Sequence, residues 1–388
     1  MKLRFALIGG AAESFIGPVH RIAATMDGQA ELVAGAFSRN PEKNTRTGLL
    51  WHITPDRLYT DYRKLLEAER DHLDYVIIAT PNDTHVEIAT AAIDAGLSVS
   101  CDKPLGRTFA EAHPLVSLLE KNPVPFMVTY NYSGYSMIKE ARQRCEDNEL
   151  GEIRRVVVEM PQGWLQGLVA RAGTEPNVWR MDPAVSGPSL TTADVGTHAL
   201  HLAEYVTGLT VISVGADITA FLSSSALEND ANVLLRFANG AKGILTASQI
   251  ATGDRNPFRL RVYGTKMGLE WNQDLPERLV MKDSNGNERH IFRAADPDST
   301  SARWSRVAAG HPEGYLEAFA NVYLEFHRAI RDHQSNSFKS GDEYDYPGVD
   351  AGIHGLKFVQ AVLRSAQKQD SSCWVSVSAP QNGDHEGE

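Results

Sequence analysis

A chain of 388 residues, 42% hydrophobic and 22% charged, exceeds one ordinary core. It predicts a globular protein of two domains with interior enough to bury a site between them. The formal net charge of −11 argues against a general nucleic-acid binder, which needs clustered Lys and Arg.

The N-terminal third alternates strands and helices. An apolar run over 3–8 predicts a buried strand, broken at Gly9-Gly10 before it reaches signal-peptide length. A glycine-bearing loop and a helix over 18–26 follow. Further strands are expected over 31–37, 75–80, 98–101 and 125–130. The helices between them are expected over 61–70, 85–95 and 108–121, the second closed by Gly96. This alternation implies right-handed βαβ units and a parallel sheet. Ligands of such sheets sit beyond the carboxyl ends of the strands, so the loops at 9–20, 38–40, 80–85, 101–104 and 130–135 matter most.

After about residue 135 the pattern changes. Strand-like runs over 153–160, 210–220, 232–237, 243–249 and 259–263 are punctuated at Asn239-Gly240 and Gly264. They predict an open antiparallel or mixed sheet. Long helices are expected near 312–332 and 349–368. The polar, turn-rich stretch 281–310 reads as an excursion or a loop over the site, and residues 380–388 as a disordered tail.

Cys101, Cys145 and Cys373 are too scattered for a disulfide framework or a metal site. No apolar stretch approaches the ~20 residues of a membrane span, so a cytoplasmic protein is expected.

Three features carry chemistry. The first loop holds Gly9, Gly10 and Gly17 between a strand and a helix, where glycines let a pyrophosphate approach backbone N–H groups; its spacing is longer than GxGxxG. Ser38-Arg39-Asn40 follows the second strand, where an acid would hold the ribose hydroxyl of NAD. With no acid there, NADP is favoured over NAD. Lys103 stands just past a short apolar strand, and Asp194 and His198, four residues apart on an expected helix, share a face.

Thr80-Pro81-Asn82-Asp83-Thr84-His85, Asp102-Lys103-Pro104, Trp179-Arg180 and Asp194-Val195-Gly196-Thr197-His198 occur in the order found in the Gfo/Idh/MocA oxidoreductases. The chain resembles that family over nearly its whole length. The resemblance implies an α/β Rossmann domain with a parallel sheet over 1–130. It implies an α+β domain with a large open, mostly antiparallel sheet over 131–379, for substrate binding and oligomerisation. It also implies NAD(P)-dependent oxidation or reduction of a sugar, polyol or cyclitol in a homodimer or homotetramer.

Carried over residue by residue, Lys103 touches the nicotinamide ribose and the reacting hydroxyl, Asp194 binds and orients substrate, and His198 is the general acid/base. Asp102 stands where Glu is more usual, and the stretched glycine loop departs further. The expected cofactor contacts are Gly9, Gly10, Phe15, Ile16 and Gly17, then Ser38 and Arg39. They continue with Thr80, Pro81, Asn82 and His85, then Asp102, Lys103, Asn131 and Arg180. Of these, His85 also reads as a structural histidine, like His52 and His113.

The residues fit those roles on chemical grounds. An imidazole of pKa near ~6.5 can accept the proton that leaves with hydride, a lysine stabilises alkoxide, and Asp194 holds substrate or favours imidazolium. On the substrate side Tyr135, Trp164, Arg180 and His311 suit sugar faces and hydroxyls; Tyr130 and Tyr132 share that loop. Phe319, Tyr323 and Phe326 have helical spacing and read as core.

Rival readings make Asp194 only an N-cap of a helix over 195–207, or His198 a core histidine with His201 beside it. At the level of function the rivals are a glycoside-cleaving enzyme that oxidises transiently with bound NAD and eliminates, and a non-catalytic dinucleotide sensor.

Overall fold

Leu3–Gly9 forms β1, apolar except for Arg4 and largely buried on both faces, as a central parallel strand must be. In the computed structural model, which describes residues 1–173, 178–222, 225–339, 341, 343–368 and 373–377, β1 is flanked by β2 (Ala30–Ala36) and β3 (Tyr75–Ala79). β4 (Ser98–Cys101) and β5 (Phe126–Val128) complete a five-stranded sheet of order β2-β1-β3-β4-β5, parallel throughout. The expected tail over 380–388 lies outside the described residues.

The helices between these strands are α1 (Ile16–Thr25), α2 (Pro41–Leu50), α3 (Tyr62–Glu69), α4 (His85–Asp94), α5 (Phe109–Ala112) and α6 (Pro114–Lys121). Two differ from expectation for local reasons. The helix expected over 108–121 divides at His113-Pro114, since Pro114 has no N–H to continue the ladder. The unexpected α2 starts at an Asn-Pro pair: the Asn40 side chain accepts the Lys43 N–H, and Pro41 takes the first helical position.

The second half forms α7 (Ser136–Glu146), β6 (Ile153–Pro161), α8 (Trp164–Ala172), α9 (Pro183–Ser186), a π-helical turn over Thr192–Gly196 and α10 (Thr197–Thr207). Strands β7 (Val211–Thr219), β8 (Asp230–Phe237), β9 (Lys242–Ser248), β10 (Arg259–Gly264), β11 (Met267–Asn272), β12 (Arg278–Asp283) and β13 (Glu288–Phe292) follow. α11 (Thr300–Arg303), α12 (Tyr315–Gln334), α13 (Val349–Ala366) and β14 (Val375–Ser376) end the described chain.

The second sheet has nine strands in the order β13-β12-β11-β10-β6-β9-β8-β7-β14. Every neighbouring pair is antiparallel except β6 with β9. The stretch expected to loop over the site instead opens with the β12–β13 edge hairpin, runs on through α11, and does not line the cavity described below. The hairpin turn is set by Asp283, which accepts the Asn285 and Asn287 N–H groups, and by Gly286 at φ 84°.

Two cores line the parallel sheet and a third fills the nine-stranded sheet. On one side of the parallel sheet, Phe5, Leu7, Tyr75 and Ile77 meet Phe319, Tyr323, Phe326 and Ile330 of α12. The aromatics of α12 are thus core, and a helix from the last third of the chain covers the first sheet. α13 gives Ile353 and Leu356 to the opposite core, and Phe358, Ala361 and Val362 to that of the nine-stranded sheet. These two helices tie the halves together and set the width of the cleft between them. No helix among the described residues is long and apolar enough to cross a membrane.

Phe326 is fully buried at this junction. Phe326→Ala is expected to destabilise the fold by ~3–5 kcal/mol through lost burial and the cavity left behind. Denaturant midpoints at constant m-value check it.

Candidate active site

A cavity of about 1540 Å³ opens where the carboxyl ends of β1 to β4 face the second sheet. Its first wall is the glycine loop. Gly9 and Gly10 have φ of +78° and +62°, which only glycine adopts without strain. A Cβ on Gly17 would lie 1.7 Å from the Gly10 carbonyl oxygen. The long spacing therefore closes up by seating the first turn of α1 directly on Gly10. α1 has no side-chain cap at Phe15; the Gly17 N–H in its first turn donates to the Ser14 hydroxyl at 3.1 Å, and the Ile16 N–H is left to meet an anion. Together with the glycine cradle this fits a dinucleotide pyrophosphate.

Most of the residues read from the sequence as cofactor contacts line this cavity: Gly9, Gly10, Phe15, Ile16, Ser38, Arg39, Thr80, Pro81, Asn82, Asp102, Lys103, Asn131 and Arg180. Arg39 is exposed and has no side-chain partner among the described residues. Asn82 donates to the Ser186 carbonyl at 2.9 Å and so ties its loop to α9. His85 is not a lining residue. It is buried with Nδ1 2.8 Å from the Pro104 carbonyl and Nε2 2.8 Å from that of Thr80, bracing two cavity loops from behind.

The centre of the cavity is one ion pair. Lys103 Nζ lies 2.5 Å from Asp194 Oδ1 and 2.7 Å from the Asp194 carbonyl. Gln249 Nε2 donates to Asp194 Oδ2 at 2.6 Å, and Arg180 Nε stands 4.0 Å from the same oxygen. Burial alone would raise the Asp194 carboxyl. The Lys103 and Arg180 charges, with the Lys103 hydrogen bond, outweigh it and hold the group well below the usual carboxylate range.

Lys103 is oriented from its own side by Asp102. That carboxylate accepts the Lys103 N–H at 3.0 Å and the Thr129 hydroxyl at 2.7 Å.

His198 lines the cavity beside this pair, 6% exposed, with the Tyr132 ring edge-on at 4.8 Å. Its Nδ1 is buried without a hydrogen-bond partner. Burial, and then the Lys103 charge, push the imidazole well below its ordinary 6.5, with Asp194 opposing only in part. The unperturbed value expected from sequence is thus corrected: at neutral pH this histidine is uncharged and open to a proton. His201, half-buried and stacked on Tyr130 at 4.7 Å, is lowered to about 3 by desolvation and lies off the cavity.

The regular i, i+4 helix pair is also corrected. Asp194 sits within the π turn and His198 in the first turn of α10; such turns recur at functional sites. Asp194 is not an N-cap, because its N–H already bonds the Leu190 carbonyl at 2.9 Å. Glu228, two residues before β8, caps this segment. It accepts the Ser189 hydroxyl at 2.6 Å and the Leu190 and Thr192 N–H groups at 3.2 and 2.9 Å.

Substrate-side expectations divide. Trp164 and Arg180 line the cavity, Arg180 lying over the Trp179 ring at 4.5 Å. Tyr135 and His311 do not. Tyr135 packs on Trp271 at 5.2 Å in the core, while His311 is exposed, with its carbonyl held by Arg293.

Tyr132 takes the place expected of Tyr135. It belongs to a chain in which Gln162 Nε2 donates to Asn256 Oδ1 at 2.6 Å and Asn256 Nδ2 to the Tyr132 hydroxyl at 3.3 Å. Gln162, Asn256, Gln249 and Glu228 had no signal in sequence. They lie singly at strand ends, in no motif, and acquire meaning only through the sheet.

Parallel sheet, glycine cradle and cleft together define an NAD-binding oxidoreductase of Rossmann type. Residues 3–130 match the oxidoreductase family with an NAD-binding Rossmann fold, and residues 138–270 match the GFO/IDH/MocA C-terminal domain. The chain belongs to the Gfo/Idh/MocA family. It is 34% identical to the oxidoreductase YfiI of Bacillus subtilis over 96% of both chains. Levoglucosan dehydrogenase of Pseudarthrobacter phenanthrenivorans is 27% identical, with 82% of this chain and 83% of that one covered. The crystal structure of an inositol dehydrogenase homolog from Azotobacter vinelandii, complexed with NAD+, superposes with a TM-score of 0.89 at 34% identity, covering 97% of each chain.

Asp194, ionised below its ordinary 3.8, contributes stability that is present above that value and lost as pH falls toward its folded pKa. Asp194→Asn is therefore expected to lose stability less steeply than the parent between about pH 5 and pH 2. Urea midpoints across that range check it, and equal slopes would contradict it.

Proposed function

We propose that the protein moves hydride between NAD(P) and a sugar, polyol, cyclitol or related cyclic alcohol or ketone, with Lys103, Asp194 and His198 handling the proton. The observation that carries this reading is the Lys103–Asp194 pair beside a buried, neutral His198 at the strand ends of a dinucleotide-type sheet. Relatives named for levoglucosan and inositol support the substrate class.

Bound nicotinamide supplies the hydride acceptor in one direction and the donor in the other. His198, uncharged at neutral pH, accepts the hydroxyl proton at Nε2, since Nδ1 is enclosed. The Lys103 ammonium stabilises the alkoxide as it forms. Asp194 pairs with Lys103 and holds it in place, and offers substrate hydroxyls an acceptor. Trp164, Tyr132, Gln162 and Asn256 supply the apolar face and hydroxyl partners of a sugar site. The glycine loop with Phe15 and Ile16 would hold the pyrophosphate, and Asp102, Lys103, Asn131 and Arg180 would line the nicotinamide end.

NADP is the favoured dinucleotide. Ser38 and Arg39 follow β2 and line the cavity, no acid stands in the Ser38-Arg39-Asn40 turn, and a free guanidinium suits a 2′-phosphate. Residues 1–130 form the dinucleotide domain and 131–379 the substrate domain of a cytoplasmic homodimer or homotetramer. The open face of the nine-stranded sheet supports that assembly: Leu234 and Tyr263 there are 51% and 40% exposed.

A panel of sugars and cyclitols assayed with NAD and NADP tests the reading. Lys103→Met is expected to lower turnover about 100- to 1000-fold while cofactor binding persists; unchanged turnover would refute the proton site. Cofactor that stays bound through cleavage of a glycoside, with no net reduced nucleotide, would favour oxidation–elimination instead. Arg39→Ala should weaken NADP about tenfold or more and NAD little. Equal effects in binding titrations would refute the NADP preference.

A further inference from the structure

Gln249 follows β9 directly, is fully buried and does not line the cavity. Its polar atoms are all engaged on the protein side. The backbone N–H donates to the Asn229 carbonyl at 2.9 Å, and its own carbonyl accepts the Leu165 N–H at 3.1 Å. The side-chain Oε1 accepts the Thr191 hydroxyl at 3.3 Å, and Nε2 donates to Asp194 Oδ2 at 2.6 Å. The chemistry fixes the amide's orientation, because an ionised carboxylate can only accept and the Thr191 hydroxyl can donate.

From this geometry we infer that Gln249 is a positioning residue for the Lys103–Asp194 pair, an inference that rests on the dehydrogenase reading above. The Asp194 carboxylate is divided, Oδ1 to Lys103 and Oδ2 to Gln249. Donors on different oxygens stop the carboxylate from rotating about its last bond. Without Gln249, the remaining neighbour of Oδ2 is Arg180, at 4.0 Å and half exposed. A carboxylate released from Gln249 turns toward that cation and withdraws from Lys103.

Gln249 also holds Thr191, the residue that leads into the π turn over Thr192–Gly196. One amide therefore fixes both the carboxylate and the backbone that carries it. The position calls for a neutral donor. A carboxylate there would face Asp194 with like charge, and an aliphatic side chain would take away the one hydrogen-bond donor that Oδ2 has.

Gln249→Leu and Gln249→Glu, compared with the parent holoenzyme, test this. For Gln249→Leu, loss of one charge-assisted bond predicts a fall in kcat of about ten- to a hundredfold, with cofactor KM unchanged. Gln249→Glu should approach parent activity at low pH, where its protonated carboxyl donates to Asp194, and fall away as pH rises. A loss constant with pH in Gln249→Glu, or an unchanged kcat in Gln249→Leu, would overturn the inference.

Crystals of Gln249→Leu read the geometry independently of turnover. Asp194 turned from Lys103 supports the inference, and Asp194 still on Lys103 overturns it. A parent inactive across the whole panel would instead overturn the dehydrogenase reading, with the crystal result alone then deciding the role of Gln249.

Discussion

The contact between Lys103 and Asp194 joins the two halves of the molecule at their working edge. Lys103 leaves the end of β4 in the parallel sheet, and Asp194 comes from the π turn beside the nine-stranded sheet. Both groups are largely withdrawn from water, and such a pair repays its desolvation only when its geometry is tight and its other atoms are satisfied. Here they are satisfied, and the consequences spread. Asp194 stays ionised, Lys103 has a counter-charge, and the Lys103 charge helps keep His198 neutral. A cation and an uncharged imidazole thus coexist within one cleft. In water at neutral pH a free histidine would be divided between its two forms.

The pair is held from both sides by groups that never touch the cavity, or only at its edge. Asp102 folds back onto the Lys103 N–H and the Thr129 hydroxyl, which pins the chain as it leaves β4. Behind it His20 is buried, lowered to about 4 by that burial, and bonded through Nδ1 to the Tyr323 hydroxyl at 2.6 Å. Tyr323 belongs to α12, so the helix that covers the parallel sheet also backs the site. On the opposite side Glu228 closes the start of the segment carrying Asp194. A buried carboxylate with three donors there complements the positive end of a helix. The charged centre of the cleft is therefore hydrogen-bonded from both halves of the molecule.

What could be read from sequence follows from how local each signal is. β3 is an unbroken apolar run closed by Pro81, β1 is broken only by Arg4 and ends at Gly9, and both appear within a residue of expectation. α2 was hidden because Pro41-Glu42-Lys43-Asn44-Thr45-Arg46-Thr47-Gly48 shows no apolar stripe; only its cap, Asn40 with Pro41, marked it. Lys103, Asp194 and His198 were visible because each stands in a short, dense motif. Tyr132 and Tyr135 could not be told apart. They lie around one 3₁₀ turn, where a shift of a few residues decides between cavity and core, and the choice depends on Trp271 and Phe258 far along the chain. His311 misled for a similar reason. Its loop is drawn down by Arg293, and the imidazole is left outside.

The residues that could not be read owe their positions to one topological feature. β6 and β9 are the sole parallel pair among the described strands of the second sheet. Parallel neighbours end on the same edge, whereas antiparallel neighbours end on opposite ones. The chain leaving β6 and the chain leaving β9 therefore emerge side by side, and Gln162 N–H bonds the Ser248 carbonyl at 2.7 Å where they do so. Each strand contributes a glutamine just past its end. Gln162 enters the cavity chain to Tyr132, and Gln249 turns behind it to Asp194. An all-antiparallel sheet would send one of the two to the far edge. One crossover thus lets the second sheet shape one wall of the cleft and anchor its charge at the same edge.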